Sequence, residues 1–221
     1  MIIGKTYPAV AYKLVIFDFD GTLADSFPFF VLTINHLAEK HAFRKIPLDE
    51  VESLRELGPR ELMKTLEVPV WKLPAIAQSF IKLMQEDLSK IPLFENIEEM
   101  LAHLSENGVI LGLVSSNGYE NVTRVLGSSC RHFSYFECGA SFFGKASRLR
   151  QLLKKAGCQS SETIYIGDQI TDCEAAKSVG IAFGAVSWGY STEEILKTLS
   201  PEETFENVAA LKRLVSSEKT A

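Results

Sequence analysis

Apolar residues gather in four short runs, Leu14 to Phe17, Val109 to Val114, Thr163 to Ile166 and Ile181 to Val186, each of strand length and followed by turn chemistry. Phe133 to Phe136 is a weaker fifth. Between the runs the apolar positions recur every three or four residues, which predicts helices at 95–107, 118–126, 145–156, 170–179 and 204–215. Gly108, Gly157 and Gly180 stand where such helices should stop before the next strand. This alternation predicts an α/β fold with a doubly wound parallel sheet.

One interval is too long for the rhythm. A strand–helix–strand step takes about 30 residues, yet about 95 separate the first run from Val109. From Ser26 to Lys90 the pattern is helical: Phe27, Phe30, Val31, Ile34 and Leu37 form one stripe, and Ile76, Phe80, Leu83, Met84 and Leu88 another. Pro47, Gly58, Pro59, Pro69 and Pro74 interrupt it. The expectation is a small helical bundle of four pieces, residues 25–91, inserted into an α/β core made of residues 1–24 and 92–221. The final stretch from Ser216 to Ala221 reads as a frayed end.

Composition narrows the class. With 221 residues, 46% hydrophobic and 23% charged, the chain is ordinary for a globular protein, which excludes disordered and collagen-like classes. A chain of this size buries roughly 70% of its unfolded surface, so it needs no disulfide or metal staple. The net charge is −5 and the densest basic run is Lys154-Lys155, which argues against nucleic acid or a membrane surface and for a small or phosphorylated ligand. Cys130, Cys138, Cys158 and Cys173 form no C-x-x-C pair, and the first apolar run ends at Asp18. The expectation is a soluble cytoplasmic protein.

Ligands of open α/β sheets bind beyond the carboxyl ends of the strands, and the residues there are polar. They are Asp18-Phe19-Asp20-Gly21-Thr22, Ser115-Ser116-Asn117, and Gly167-Asp168 with Asp172 four residues on; Lys145 opens a helix after Gly144. Converging carboxylates repel unless a cation joins them, and an all-oxygen set suits Mg²⁺ better than Zn²⁺. With a lysine and backbone N–H groups, such an ion neutralises a transferring phosphoryl group.

Plainer readings stand beside this one. A lone aspartate after a strand is commonly a helix cap, which serves for Asp168 or Asp172 alone but strains to explain both Asp18 and Asp20. Asp25 suits the start of the first inserted helix. Lysine at a helix start opposes the helix dipole, so Lys145 gains nothing by being there unless it has a function. Arg55 and Arg60 are either surface charges or anchors for a substrate anion. His36, His41, His103 and His132 match no metal spacing, and Phe27, Phe29 and Phe30 form an apolar stripe of which one ring can line a cleft. Gly139 to Lys145 satisfies most of a Walker A pattern, but Ala146 stands where that motif needs a hydroxyl.

In sequence order, Asp18-Phe-Asp20-Gly-Thr-Leu-Ala-Asp25, Ser115, Lys145 and Gly167-Asp168-x-x-x-Asp172 resemble the four motifs of the haloacid dehalogenase superfamily. The resemblance covers nearly the whole chain. Its insertion is similar to that family's helical cap, and the phosphoglycolate phosphatases look like the nearest group. The resemblance implies a Mg²⁺-dependent phosphatase in which Asp18 attacks phosphorus, and Asp20 protonates the leaving oxygen and then activates water. It implies that Ser115, Ser116, Asn117 and Lys145 hold phosphoryl oxygens. It implies that Asp18, the backbone carbonyl of Asp20 and Asp168 hold the ion, with Asp172 one shell out. Arg55 and Arg60 lie in a segment resembling the family's substrate-contacting turn. The family's dehalogenases lack an aspartate at the place of Asp20. A phosphomutase of the same fold, a phosphoacceptor signalling module and a nucleotide-binding module are the alternatives; the substrate and the oligomeric state stay open.

Overall fold

The computed structural model describes residues 12–57, 59–87, 90–139 and 144–215. Among them six parallel strands form one sheet, in the order β3-β2-β1-β4-β5-β6. The strands are β1 (Leu14–Phe17), β2 (Ile110–Ser115), β3 (Phe133–Cys138), β4 (Thr163–Gly167), β5 (Ala182–Val186) and β6 (Glu203–Phe205). In β1, Phe17 pairs with Leu113 on one side and Ile166 on the other. Strands covered on both faces are apolar at every position, and all four residues of β1 are fully buried.

Successive side chains enter opposite cores. Val15 and Phe17 join Leu111, Leu113, Ile164 and Ile166 on one face, while Leu14 and Ile16 join Val114, Tyr165 and Phe183 on the other.

Between β1 and β2 stand α1 (Phe27–His41), α2 (Pro59–Thr65) and α3 (Leu73–Glu86), with short 3-10 turns at Leu48–Glu50, Glu52–Glu56 and Val70–Lys72. α1 and α3 each carry proline in the first turn, where its missing N–H has no helical partner to lose. The insertion has a small core of its own in Ile34, Ile46, Leu54 and Leu66, and it sends Phe29 and Met84 into the first sheet core. Where the chain leaves and returns, the Asp25 N–H donates to the Pro92 carbonyl at 2.8 Å. Ser26, not Asp25, takes the N-cap position of α1, and its side chain makes no cap bond.

The first face is covered by α4 (Ile97–Glu106) and α5 (Tyr119–Leu126), the second by α6 (Lys145–Ala156) and α7 (Ile170–Val179). Gly157 and Gly180 close α6 and α7 in the left-handed conformation, as expected. The helix predicted over 204–215 is different: Glu203–Phe205 is the edge strand β6, and Val208–Leu214 winds as a 3-10 helix. Thr204 pairs with Ala185 and Phe205 is fully buried, so sheet pairing displaces the first helical turn. Val208, Leu211 and Leu214 then reach the core at the three-residue spacing of a 3-10 helix. A short α8 (Glu193–Thr198) has no counterpart in the sequence reading. Gly58, Leu88, residues 140–143 and the stretch from Ser216 to Ala221 lie outside the described residues. Among the described residues no helix is long and apolar enough to cross a membrane.

Candidate active site

The chain steps from β1 outward to β2 and β3 and then crosses to β4, so the switch in strand order lies beside β1. Asp18 follows β1 directly, its N–H donating to the Ile166 carbonyl at 2.8 Å. Asp168 follows β4 and Asp172 lies in the first turn of α7. Oxygens of these three buried carboxylates lie within 4.8 Å of one another. Lys145, the first residue of α6, stands between two of them, with Nζ 2.5 Å from Asp172 Oδ1 and 3.1 Å from Asp18 Oδ2.

One ammonium among three buried carboxylates leaves negative charge in excess. Burial pushes the Asp18 carboxyl well above the usual range, with Lys145 opposing and the neighbouring aspartates adding. Burial, then the charge of Asp172, pushes Asp168 up to about 7. Burial disfavours the charge on Lys145, yet Asp172 and Asp18 raise its pKa above the ordinary lysine value. A buried, all-oxygen cluster with this excess fits a hard divalent cation.

The outer acids play different parts. Asp172 accepts from Lys145, from the Tyr165 hydroxyl at 3.0 Å and from the Gln169 N–H at 3.0 Å. It fixes the lysine and also completes a capping box with Gln169, so the helix-cap reading holds for it in part. Asp168 accepts Thr22 Oγ1–H at 2.9 Å on Oδ1 and the Tyr190 N–H at 2.7 Å on Oδ2. Gly21 has φ +79°, and a Cβ there would lie 2.3 Å from Asp168 Oδ2, so both conformation and space require glycine.

Asp20 Oδ2 accepts from Asn117 Nδ2 at 3.3 Å, while Oδ1 is buried without a partner among the described residues. Burial raises its pKa, and the neighbouring Ser26 and Asn117 side chains oppose the rise. A carboxyl with a raised pKa can serve as a proton donor. Ser115 is buried at the end of β2, its Oγ accepting the Asn117 N–H at 2.9 Å. Ser116 is exposed. The Asn117 side chain faces Asp20 and the Met84 sulfur, 2.7 Å away, so it orients the acid and meets the insertion at once.

From the insertion, Arg55 donates to the Gly189 carbonyl at 2.6 Å and sits 5.2 Å from the Phe27 ring centre, with its Nε buried and unpartnered among the described residues. Arg60 is exposed on α2.

The sequence model of the haloacid dehalogenase-like hydrolases matches residues 15–186. The chain belongs to this family. The phosphoglycolate phosphatase of Synechococcus elongatus is 30% identical over 210 residues, 92% of this chain and 97% of that one. That of Agrobacterium fabrum is 26% identical over 215 residues, 90% of each. A haloacid dehalogenase-like family hydrolase from Streptococcus pneumoniae superposes with a TM-score of 0.75 at 17% identity, over 90% of this chain and 96% of that one. Within the family the chain is a phosphatase.

One part of this haloacid dehalogenase-like site escaped the sequence reading: the turn after β5. Trp188 Nε1–H donates to the Thr22 carbonyl at 3.2 Å, the Tyr190 hydroxyl lies 3.1 Å from Ser26 Oγ, and the Tyr190 ring packs on Phe27 and Phe30. The turn follows a strand like the other site segments, but it carries no acid or lysine to mark it.

Proposed function

We propose that the chain is a Mg²⁺-dependent phosphatase that works through an aspartyl-phosphate on Asp18, with phosphoglycolate as substrate. The observation that carries this reading is the buried Asp18 carboxyl, 3.1 Å from Lys145 Nζ, with half-buried Asp20 two residues on, both carboxyls raised above the usual range. Asp18, Asp168 and the backbone carbonyl of Asp20 would hold Mg²⁺, with Asp172 behind Lys145. When bound, the ion neutralises charge on the phosphoryl group.

An Asp18 oxygen attacks phosphorus as the bond to the leaving oxygen breaks, and Asp20 gives that oxygen its proton. Asp20, now a carboxylate, takes a proton from water as the water attacks phosphorus. The bond to Asp18 breaks, and inorganic phosphate and free Asp18 result. The Lys145 ammonium, the Ser115 hydroxyl and the turn through Ser116 and Asn117 hold the phosphoryl oxygens. The described residues of 1–24 and 92–221 form the core that does this chemistry, and those of 25–91 form a cap that excludes water.

The relatives named phosphoglycolate phosphatase support the substrate. Arg55, with its buried unpartnered Nε, is better placed for the carboxylate of that substrate than the exposed Arg60. Four free cysteines fit a reducing cytoplasm. The test is phosphate release from phosphoglycolate, a sugar phosphate, a nucleoside monophosphate, phosphoserine and nitrophenyl phosphate, with Mg²⁺ and with a chelator. We expect phosphoglycolate to be turned over only with the ion. No turnover of any monoester refutes the reading, and preference for another monoester overturns the substrate alone.

A further inference from the structure

The peptide unit joining Gly189 to Tyr190 touches both the insertion and the acidic cluster. Its carbonyl accepts from Arg55 at 2.6 Å, and its N–H donates to Asp168 Oδ2 at 2.7 Å. Because a peptide is planar, the direction of one bond fixes the direction of the other. We propose that this peptide is a relay through which Arg55 positions Asp168, making Arg55, Gly189 and Tyr190 positioning residues that set the affinity of the site for its divalent cation. The inference rests on the Mg²⁺ reading above.

Several observations support the relay. Asp168 has one donor on each oxygen, Thr22 on Oδ1 and the relay N–H on Oδ2, so its carboxylate plane is fixed while lone pairs remain for an ion. Gly189 lies directly against it: a Cβ at this position would come 2.2 Å from Asp168 Cβ and 2.5 Å from Oδ2. The turn is also held by Trp188 on the Thr22 carbonyl and by the Tyr190 hydroxyl beside Ser26. Arg55 is tied to the same segment twice, since the Thr192 N–H donates to the Arg55 carbonyl at 3.2 Å. These two Arg55 bonds join the insertion to the turn that holds Asp168.

Charge and positioning predict opposite signs, which makes the relay testable. Removing a nearby positive charge should by itself tighten binding of a cation, whereas loosening the partner of an ion-binding carboxylate weakens it, commonly 10- to 100-fold. The experiment is calorimetric titration of the metal-free full chain with Mg²⁺, for wild type, Gly189→Ala, Arg55→Met and Arg55→Lys, with thermal melting to check the fold. We expect Gly189→Ala and Arg55→Met to weaken Mg²⁺ binding about tenfold or more, and Arg55→Lys, which keeps a donor for the carbonyl, to recover part of the loss. Binding by Arg55→Met that equals or exceeds wild type overturns the relay, and this pair decides if Gly189→Ala fails to fold. A wild type that takes up no Mg²⁺ overturns the Mg²⁺ reading and the relay together; wild-type binding with unaltered variants overturns the relay alone.

Discussion

The carboxyl edge of the sheet and the helical insertion above it treat charge in opposite ways. At the edge, Asp18, Asp168 and Asp172 are buried, and each has a partner from a different element. In the insertion, pairs such as Arg44–Glu50 and Lys45–Glu39 lie in solvent, where they contribute little; Arg55, packed onto the core, differs from them. The edge is therefore built for one chemistry at one place. The insertion, with a small core of its own, is suited to choosing what enters. Substitutions at the edge should abolish turnover whatever the substrate, and substitutions in the insertion should redistribute activity among substrates.

The largest effect is expected for Asp18→Asn. The amide is a poor nucleophile and a weaker ion ligand, so turnover should fall by several orders of magnitude for every monoester while the fold melts as wild type. Phosphate release and thermal melting check this, and near-normal turnover would erase the special status of the edge. Next comes Asp20→Asn, with a loss of roughly 10²- to 10⁴-fold on alkyl phosphates. Nitrophenolate leaves without a proton, so the first step with nitrophenyl phosphate should survive better and show a burst followed by slow turnover. Equal, undiminished rates on both substrates would remove Asp20 from acid–base work.

A third effect concerns pH. Asp168 titrates at about 7 in the folded chain against a usual value of 3.8. Between these values the native state holds a proton that the unfolded state has lost, so stability is fully present below about 3.8 and falls as pH rises to about 7. Melting in a chelator should therefore drop over this window more in wild type than in Asp168→Asn, and parallel profiles would contradict the burial argument. The smallest effect separates the two arginines. With Mg²⁺ raised to saturate each variant, Arg55→Met should lower kcat/KM for phosphoglycolate about 10- to 100-fold more than for nitrophenyl phosphate, whereas Arg60→Met should change the ratio less than about twofold.

What was legible in the sequence follows the same division. Asp18, Asp168 and Lys145 stand beside apolar runs whose period marks strands and helices, so their convergence could be read. The turn holding Asp168 could not be read, because Tyr190 acts through a backbone N–H, which every residue except proline carries. The bond from Asn117 to Asp20 spans 97 positions and depends on how two loops meet. Arg55 and Arg60 looked alike on the chain; packing against Phe27 and Gly189 distinguishes them. The edge strand β6 was hidden in a helical period because a three-residue strand shows too little alternation to announce itself.

The central claim is that phosphorus passes through Asp18. The direct measurement is acid quenching of Asp20→Asn mixed with radiolabelled monoester, followed by mapping of the labelled peptide. The account predicts label on Asp18 when Mg²⁺ is present and none when it is chelated. Absence of label on Asp18, in a variant that binds substrate and whose wild-type parent releases phosphate, would contradict it.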